Sequence, residues 1–528
     1  MFFRDLLCMS ALLVSVAGAS AQVSLEHHDS TRQDIRPQQH ATRGTELLRA
    51  GDLRGAEREF REAVKVSPHD ASLVENLAVT LAMQSRFQAA EAFFQEAVAL
   101  DSNDLVYRRN LAGNDWQLDH LAAAQQNLER ILKVDPRDRK ATFLLGMVCD
   151  NSGDYIRALR LLASVPDLTA QQPEALAALA RSYYKAGKGE KARDTLQNLK
   201  VHFPDPGQTF VAGQIAAEAD DYPTAESLFR SISETYSDSE TLNYHLAKVQ
   251  YQAGEYSEAE TTLLGSIDAG HRTDDIFNLL GWCYEKQGKP LTEVAHPFEQ
   301  AMELQPSNES NYVDLIKILM SHNRFRVADT AAKLGLKALP TSFRICVLQG
   351  DAEVGAALFA DAVNSYLRAR ELRPDAPELT GKLSNAQARA GLADGAIATC
   401  KEGLKRFPKD ALTYQDCGIL FLHMHLGGSA KVSEKDAVSL LKAALALDDS
   451  LADSHDELGK LALDREQMTE ALFHLEKAAA LDPNNSSIHL SLGRVYRELG
   501  RESDATKQFA IFAKLKAQED ALAEPQPK

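Results

Sequence analysis

Prolines recur along this chain at multiples of a single interval. Pro68, Pro136 and Pro204 are evenly spaced in the first half, and Pro306, Pro340, Pro374 and Pro408 follow at half that spacing in the second. The shorter interval, about 34 residues, lies in the range that marks repeat architectures. A chain of 528 residues would otherwise be expected to hold three or four domains of roughly 150 residues, whereas this period predicts about fourteen copies of one small repeat. The repeat can be followed from residue 37 to residue 519.

Small residues occupy two fixed positions in each repeat. The eighth position is glycine or alanine in twelve of the fourteen repeats, and the twentieth is alanine in thirteen, with Val294 as the exception. Where two helices cross closely, a side chain that extends beyond Cβ would hold them apart. The two small positions therefore predict a close helix crossing inside every repeat.

Apolar residues follow helical spacing twice in each repeat. The first set lies at positions 4, 7, 8 and 11, as in Leu176, Leu179, Ala180 and Tyr183. The second set lies at positions 20, 24 and 27, as in Ala90, Phe94 and Ala97. The first spacing puts its residues on one face of a helix, and the proline near the end of each repeat stops the second helix. Each repeat is therefore predicted to be a helix, a turn marked by glycine or aspartate, and a second helix.

This helix-turn-helix pattern, with its period of about 34 residues, resembles the tetratricopeptide repeat family over residues 37–519. One repeat shows the motif directly, with Gly350 at position 8, Ala362 at 20, Tyr366 at 24 and Pro374 at 32. The resemblance implies an all-α fold, an α-α superhelical solenoid of stacked repeats. Stacking is also expected on physical grounds, because one helix pair cannot bury its apolar face alone.

The first residues carry an export pattern. Arg4 precedes an apolar stretch over residues 6–17, and Ala19, Ser20 and Ala21 offer the small-x-small sequence of a cleavage site. The stretch is shorter than the roughly 20 residues needed to span a bilayer. We therefore expect a signal peptide at residues 1–21 and a periplasmic or secreted protein. The alternative is an uncleaved N-terminal anchor that leaves the chain on the extracytoplasmic side.

Three further boundaries follow from the period. Residues 22–36 are predicted to be a flexible leader, and residues 520–528, with two prolines, a disordered tail. One repeat is longer than the others, which predicts a long turn at residues 423–436.

Composition narrows the class of partner. The formal net charge is −17, which opposes binding to nucleic acid and to anionic membranes. Apolar residues make up 44 % of the chain, and the mean hydropathy is −0.30, as expected of a folded protein with no transmembrane span after the signal. Protein or peptide partners are therefore favoured, and the oligomeric state stays open.

The sequence contains no phosphate-binding loop, no dinucleotide-binding glycine motif, no His-Glu-x-x-His and no nucleophile elbow. We therefore predict that the protein is not an enzyme and has no catalytic residue, cofactor or metal. Two clusters offer imidazole ligands: His27-His28-Asp29, and Cys417 with His423 and His425. The first lies in the predicted leader and Cys417 lies at an apolar helix position, where a buried thiol is commoner than a metal ligand.

Five cysteines follow the predicted signal peptide, so complete pairing is impossible. Only Cys400, on a second helix, and Cys417, on the next first helix, are placed to face each other. The sequence leaves open whether these two form a disulfide or remain free thiols.

The resemblance also implies which residues line the groove. In this family, positions 2, 5, 9, 12 and 13 of the first helix point inward, and helical geometry centres them about 140° from the buried stripe. The early repeats place Glu75, Asn76 and Trp116 there. The central repeats place basic and aromatic residues there: Arg181, Tyr184, Lys185, Tyr244, Lys248, Tyr251, Trp282 and Lys317. Later repeats place acidic residues there: Asp351, Asp416, Asp453, Asp456, Glu457 and Asp464.

These positions predict a non-enzymatic scaffold that binds proteins or peptides, including acidic segments, along the groove, because Tyr, Trp and Arg supply rigid contact area and charge-assisted hydrogen bonds. In the alternative interpretation of the same residues, they only solvate the inner face. A second functional hypothesis makes the chain an accessory subunit of an envelope polysaccharide-synthesis or secretion machine whose catalysis lies on another chain.

Overall fold

The computed structural model describes residues 35–523, which contain 29 helices and no strand. The predicted all-α fold is therefore confirmed. Twenty-eight of the helices form fourteen consecutive pairs, and one short helix links two pairs in the N-terminal part. Within each compact unit, consecutive pairs stack on each other, which makes the unit an α-α solenoid.

The chain divides into two compact units of seven pairs each. The N-terminal unit ends at Ala269 and the C-terminal unit begins at Gly270. The period of the repeat runs through this point without a break. The helix before the boundary is followed by Gly270, which adopts a left-handed backbone conformation with φ of +96°, instead of by a proline.

The helices of the N-terminal unit are α1 (Ile35–Arg49), α2 (Leu53–Val66), α3 (Ala71–Met83), α4 (Phe87–Leu100), α5 (Leu105–Gln117), α6 (Leu121–Val134), α7 (Arg139–Asn151), α8 (Tyr155–Ser164), α9 (Pro166–Thr169), α10 (Pro173–Lys185), α11 (Gly189–His202), α12 (Pro206–Glu218), α13 (Tyr222–Arg230), α14 (Ser239–Gln252) and α15 (Tyr256–Asp268). The short link is α9. First helices of the pairs are α1, α3, α5, α7, α10, α12 and α14.

The helices of the C-terminal unit are α16 (Asp274–Lys286), α17 (Leu291–Leu304), α18 (Glu309–Ser321), α19 (Phe325–Ala338), α20 (Phe343–Gly355), α21 (Phe359–Leu372), α22 (Glu378–Arg389), α23 (Ala393–Arg406), α24 (Ala411–Leu426), α25 (Glu434–Leu447), α26 (Ala452–Asp464), α27 (Met468–Leu481), α28 (Ser486–Glu498) and α29 (Glu502–Ala523). Here the even-numbered helices come first in each pair.

The small residue at position 8 has the predicted packing role. The ring at position 24 of the second helix lies directly against it, so that a Cβ atom added to Gly213 would come within 2.5 Å of Phe229. A Cβ on Gly44 would come within 2.9 Å of Phe60 in the same way. Phe60 and Phe229 are completely buried. The crossing is thus close because a buried ring packs on the backbone of the facing helix.

Helix starts are capped by short acidic or polar side chains. Asp70 accepts hydrogen bonds from the backbone N–H groups of Ser72 and Leu73 at the start of α3, and Asp104 and Asp138 cap α5 and α7 in the same way. Carboxylates are favoured there by the unpaired N–H groups and the helix dipole. Part of the negative net charge therefore stabilises helix N-termini.

Every pair has a left-handed residue in the turn between its two helices. Glycine fills this place in many pairs, but Ser85, Ala357 and Glu466 adopt it too, with φ of 59°, 60° and 58°. A residue with a side chain is disfavoured in this conformation. Packing of the two helices therefore determines the turn, whatever residue occupies it.

The longer repeat has a shorter turn than residues 423–436 suggested. Helix α24 continues through His423 and His425 to Leu426, and α25 begins at Glu434. The expected boundary was wrong because the inserted residues first extend the helix, which stops only at Gly427 and Gly428. Ser433 and Asp436 then form a reciprocal capping box that starts α25.

The ends differ slightly from expectation. Helix α1 begins at Ile35, inside the predicted leader, and α29 extends to Ala523, inside the predicted tail. The predicted signal peptide, nearly all of the leader, and the cluster His27-His28-Asp29 lie outside the described residues. Among the helices of residues 35–523, none combines the length and apolar character that crossing a membrane requires.

Candidate protein-binding surface

Several neighbouring first helices contact each other within each unit, for example α3 with α5, α10 with α12, and α22 with α24. The remaining faces of the first helices make up a candidate binding surface on each unit. We call it the first-helix face, defined by positions 2, 5, 9, 12 and 13 of the first helices. Six of the eight predicted binding residues lie on this face of the N-terminal unit, and Trp282 and Lys317 lie on that of the C-terminal unit.

Arg181 is paired within the chain. Its Nη1 donates to Oδ2 of Asp150 at 2.6 Å, which links α10 to the preceding first helix α7. Asp150 is 7 % exposed. Burial raises the pKa of the Asp150 carboxyl, and Arg181 opposes that rise. The charge of Arg181 is thus largely compensated before any partner binds.

Tyr184 is also held in place. Its hydroxyl donates to Oδ2 of Asp221 at 2.8 Å, and Arg193 donates to the same oxygen at 3.1 Å. Burial, followed by the Asp221 charge, raises the pKa of Tyr184. Burial alone would raise the pKa of Asp221, but these two hydrogen bonds, a third from Thr224 and the Arg193 charge together lower it. Tyr184 therefore presents a fixed ring, with its hydroxyl already bonded.

Lys185 and Lys248 are the exposed cations among the six predicted binding residues of the N-terminal unit. The ammonium of Lys185 lies 6.0 Å from the ring centroid of Tyr155. The rings of Tyr244 and Tyr251 are half-buried. Burial and, to a lesser extent, the charge of the neighbouring Lys248 lower the pKa of His245. This histidine is therefore neutral at neutral pH, and the two lysines are left as the accessible cations of the set.

In the C-terminal unit, Lys317 is exposed on α18, whereas Trp282 packs edge-on against the buried ring of Phe298, with centroids 5.8 Å apart. Trp282 therefore combines a core contact with a partly exposed edge. Replacing it would disturb packing as well as any binding.

Three residues expected to point inward are instead buried: Glu75, Trp116 and, in the C-terminal unit, Asp456, which is 5 % exposed. Trp116 is 7 % exposed and Glu75 is 5 % exposed. Oε1 of Glu75 accepts a hydrogen bond from Nδ2 of Asn110 at 2.7 Å, and Oε2 has no partner among the described residues. Burial raises the pKa of Glu75 to about 8, so Glu75 is an uncharged acid at neutral pH. The next repeat covers these positions, which a single helical wheel cannot reveal.

The pKa of Glu75 leads to a pH-dependent prediction. An unfolded glutamate ionises with a pKa of about 4.3, so between that pH and about 8 the folded chain retains a proton that the unfolded chain releases. Stability should therefore fall as pH rises through this interval. The Glu75→Gln variant should not lose this stability. Its free energy of unfolding at pH 8 should exceed that of wild type by at least about 1.4 kcal/mol, the equivalent of one pKa unit.

Urea unfolding followed by circular dichroism at pH 4 and pH 8 measures this effect. The matched control is Glu96→Gln, since Glu96 is exposed on α4. The two variants should differ at pH 8 and converge at pH 4. A Glu75→Gln variant that is no more stable than wild type at pH 8 would contradict the neutral state of the acid.

The acidic residues of the C-terminal unit are partly compensated. Asp351 accepts hydrogen bonds from Tyr366 at 2.7 Å and from Lys382 at 2.6 Å. Burial, with Asp410 and Asp453 nearby, raises the pKa of Asp416 to about 6. The acidic groups on and beside the first-helix face of this unit therefore carry less negative charge than their composition suggests.

The second metal cluster considered from sequence does not form. Cys417 is bonded to Cys400, with Cα atoms 5.6 Å apart, so it is neither a metal ligand nor a free thiol. Nε2 of His423 lies 3.4 Å from Glu457. Cys149, Cys283 and Cys346 are buried, and burial raises the pKa of Cys149 to about 11, which makes its thiol unreactive at neutral pH.

Comparison with protein families identifies the repeat directly. Two models described as "Tetratricopeptide repeat" match residues 42–104 and 347–411, and residues 216–283 and 462–521. A model described as "Anaphase-promoting complex, cyclosome, subunit 3" matches residues 117–199.

Two curated relatives cover different shares of the chain. Cellulose synthase 1 operon protein C of Komagataeibacter xylinus is 24 % identical over 231 residues, 41 % of this chain and 17 % of the relative. Protein CTR9 homolog of Arabidopsis thaliana is 20 % identical over 444 residues, 80 % of this chain and 38 % of the relative. The chain thus spans well under half the length of either relative.

Solved structures with similar helices include yeast Tom70, with a TM-score of 0.41 at 15 % identity, covering 78 % of this chain and 92 % of that one. The Naa15/Naa10 complex bound to HypK matches with a TM-score of 0.35 at 14 % identity, covering 92 % of this chain and 94 % of that one. With tetratricopeptide models matched in both units, and helix pairs that cross at the small residues of the motif, the chain belongs to the tetratricopeptide repeat family.

Proposed function

We propose that this protein is a non-enzymatic scaffold that binds acidic or extended segments of partner proteins on the first-helix face of its N-terminal unit. The observation that carries the proposal is the pair of exposed lysines, Lys185 and Lys248, beside half-buried tyrosine rings in a chain of net charge −17. Tyrosine rings are enriched at protein-binding surfaces, and charges beside them steer partners of opposite charge toward the surface.

The fixed residues of this face support binding by reducing its entropic cost. Tyr184 is held by Asp221 and Arg181 by Asp150, so neither side chain must be immobilised by the partner. Lys185 and Lys248 then supply the attraction, which steers an acidic segment toward the face and weakens with added salt.

We also propose that the protein acts in an extracytoplasmic compartment. The export pattern of residues 1–21 supports this. The Cys400–Cys417 bond supports it independently, because structural disulfides persist in oxidising compartments and are rare in the cytosol.

A second candidate function is that of an accessory subunit of an envelope polysaccharide-synthesis machine, with catalysis on another chain. The observation that favours it is the similarity, over 231 residues, to a protein named for a cellulose synthase operon. In this role the same face would bind a subunit of that machine.

Charge reversal on the first-helix face tests the scaffold proposal. Lys185→Glu with Lys248→Glu should reduce recovery of bound partners from envelope extracts at least tenfold, equivalent to about 1.4 kcal/mol. The matched control, Lys133→Glu with Lys191→Glu, makes the same charge change on exposed positions of the second helices α6 and α11. Partners are captured on immobilised full-length chain and quantified by mass spectrometry.

Equal recovery by the two double variants would contradict binding at this face. Lysine-dependent recovery of a polysaccharide-synthase subunit would favour the second candidate over a general scaffold. Circular dichroism of both variants should match wild type, since all four lysines are exposed.

A further inference from the structure

Three potential metal ligands from two consecutive repeats meet in the N-terminal unit. Glu91 lies on α4, Asp115 near the end of α5, and His120 at the N-cap of α6. Each offers one ligand atom, and these three atoms lie within 4.8 Å of one another. The residues are separated in sequence, and stacking of the repeats brings them together.

In two other repeats the equivalent positions carry opposite charges, whereas in a third repeat Glu226 and Glu255 are both acidic and Arg230 pairs with Glu226 instead. Glu57, which occupies the position of Glu91 one repeat earlier, is 2.8 Å from Arg86, which occupies the position of His120. Further along the chain the order is reversed, with Arg193 3.1 Å from Asp221. In these two repeats, the residue at the Glu91 position therefore faces a residue of opposite charge.

Within residues 35–523, the cluster itself has no such cation among its contacts. Glu91 accepts hydrogen bonds from the neutral amides of Gln88 at 2.9 Å and Gln95 at 3.5 Å. Asp115 accepts one from Asn127 at 3.2 Å. Two carboxylates therefore face one imidazole, and a divalent cation would neutralise them.

Asp115 is the buried member, with 3 % of its surface exposed. A buried carboxylate without a cationic partner is costly. Binding of a metal ion would remove this cost.

The separation between two of the three ligand atoms matches a zinc site. Nδ1 of His120 lies 3.3 Å from Oε1 of Glu91. Two ligands at about 2.0–2.1 Å from a tetrahedral zinc ion are separated by about 3.3–3.4 Å. Imidazole with carboxylates is also a donor set that suits zinc, whereas magnesium and calcium prefer oxygen donors.

The surroundings provide support and access. Asn127 donates to Oδ2 of Asp115 and so orients this carboxylate, as outer-shell partners do in metal sites. The His120 side chain is 47 % exposed, which leaves a path for the ion and room for a water molecule.

We propose that Glu91, Asp115 and His120 bind one zinc ion, with water as the fourth ligand. The ion would join α4, α5 and α6 and so fasten two consecutive repeats together. This role is independent of partner binding on the first-helix face.

Titration calorimetry of ZnCl₂ into chelator-treated full-length protein at pH 7 tests the site. Wild type should bind one equivalent of zinc that His120→Gln and Asp115→Asn both lose. Zinc should raise the thermal midpoint of wild type but not of these two variants. Asn127→Ala should keep the equivalent with affinity about 10–100-fold weaker. Cobalt(II) should give wild type the intense visible absorption of a tetrahedral site, and His120→Gln should not show it.

The matched control is His322→Gln. His322 Nε2 lies 3.0 Å from Glu285 in a partly exposed pair, and residues 35–523 place no third metal ligand with it. This variant, and one with His27→Gln and His28→Gln, should bind zinc as wild type does. The proposal is overturned if wild type binds no zinc, if His120→Gln retains the equivalent, or if the leader variant loses it.

Discussion

Replacing Phe298 with alanine is expected to lower the free energy of unfolding by about 3–5 kcal/mol. Phe298 on α17 has no exposed surface. Its ring covers the backbone of α16 at Gly281, where an added Cβ atom would overlap it, and contacts Trp282 edge-on. Because Gly281 has no side chain to move into the space, the variant should retain a cavity where the two helices cross.

Phe473→Ala is the matched control. Phe473 lies on α27, also a second helix of the C-terminal unit, but is 54 % exposed, so its replacement should change stability by no more than about 1 kcal/mol. Urea unfolding of the full-length variants by circular dichroism gives the comparison. Each repeat is stabilised by its neighbours, so the chain can unfold in more than one transition. The two variants are therefore compared by the unfolding transition that has the lowest midpoint urea concentration. Equal losses in the two variants would refute a special role for the position 8 and position 24 contact.

Removing the Cys400–Cys417 bond by replacing both residues with alanine is expected to cost about 3 kcal/mol, the loop-closure estimate for a loop of about 15 residues. The two cysteines are 17 residues apart and join α23 to α24. Both are completely buried. Reductant should destabilise wild type similarly and leave the double variant unchanged.

The control for the disulfide is Cys346→Ala, because Cys346 is buried without a disulfide. This variant should respond to reductant as wild type does. The intact mass of wild type should rise by two hydrogens on reduction. A pair found reduced in protein isolated with thiols alkylated at lysis would contradict both the bond and the proposed extracytoplasmic compartment.

Local features of the fold were predictable because they repeat. Spacing of apolar residues identified both helices, and proline placed their ends: α2 stops at Val66 before Pro68, and α6 at Val134 before Pro136. The small residue at position 8 indicated a close crossing, and the ring of Phe229 against Gly213 is that crossing.

The candidate surface was less predictable, because contacts between repeats decide it. Tyr184 and Arg181 occupy the face expected of them, but their partners, Asp221 and Asp150, lie 37 and 31 residues away in neighbouring repeats. Trp116 was expected to point inward and is buried. A helical wheel shows the direction of a side chain but not what the adjacent helix places over it.

By itself, the sequence determined the class of fold, the helix pair as its unit, and the small positions where helices cross, since all of these depend on spacing within a single repeat. Only the tertiary structure decided the division after Ala269, the pairing of Cys400 with Cys417, and the meeting of Glu91, Asp115 and His120. The physical reason is that stacking joins residues about one repeat apart. The period keeps their positions constant, while their chemistry changes from repeat to repeat.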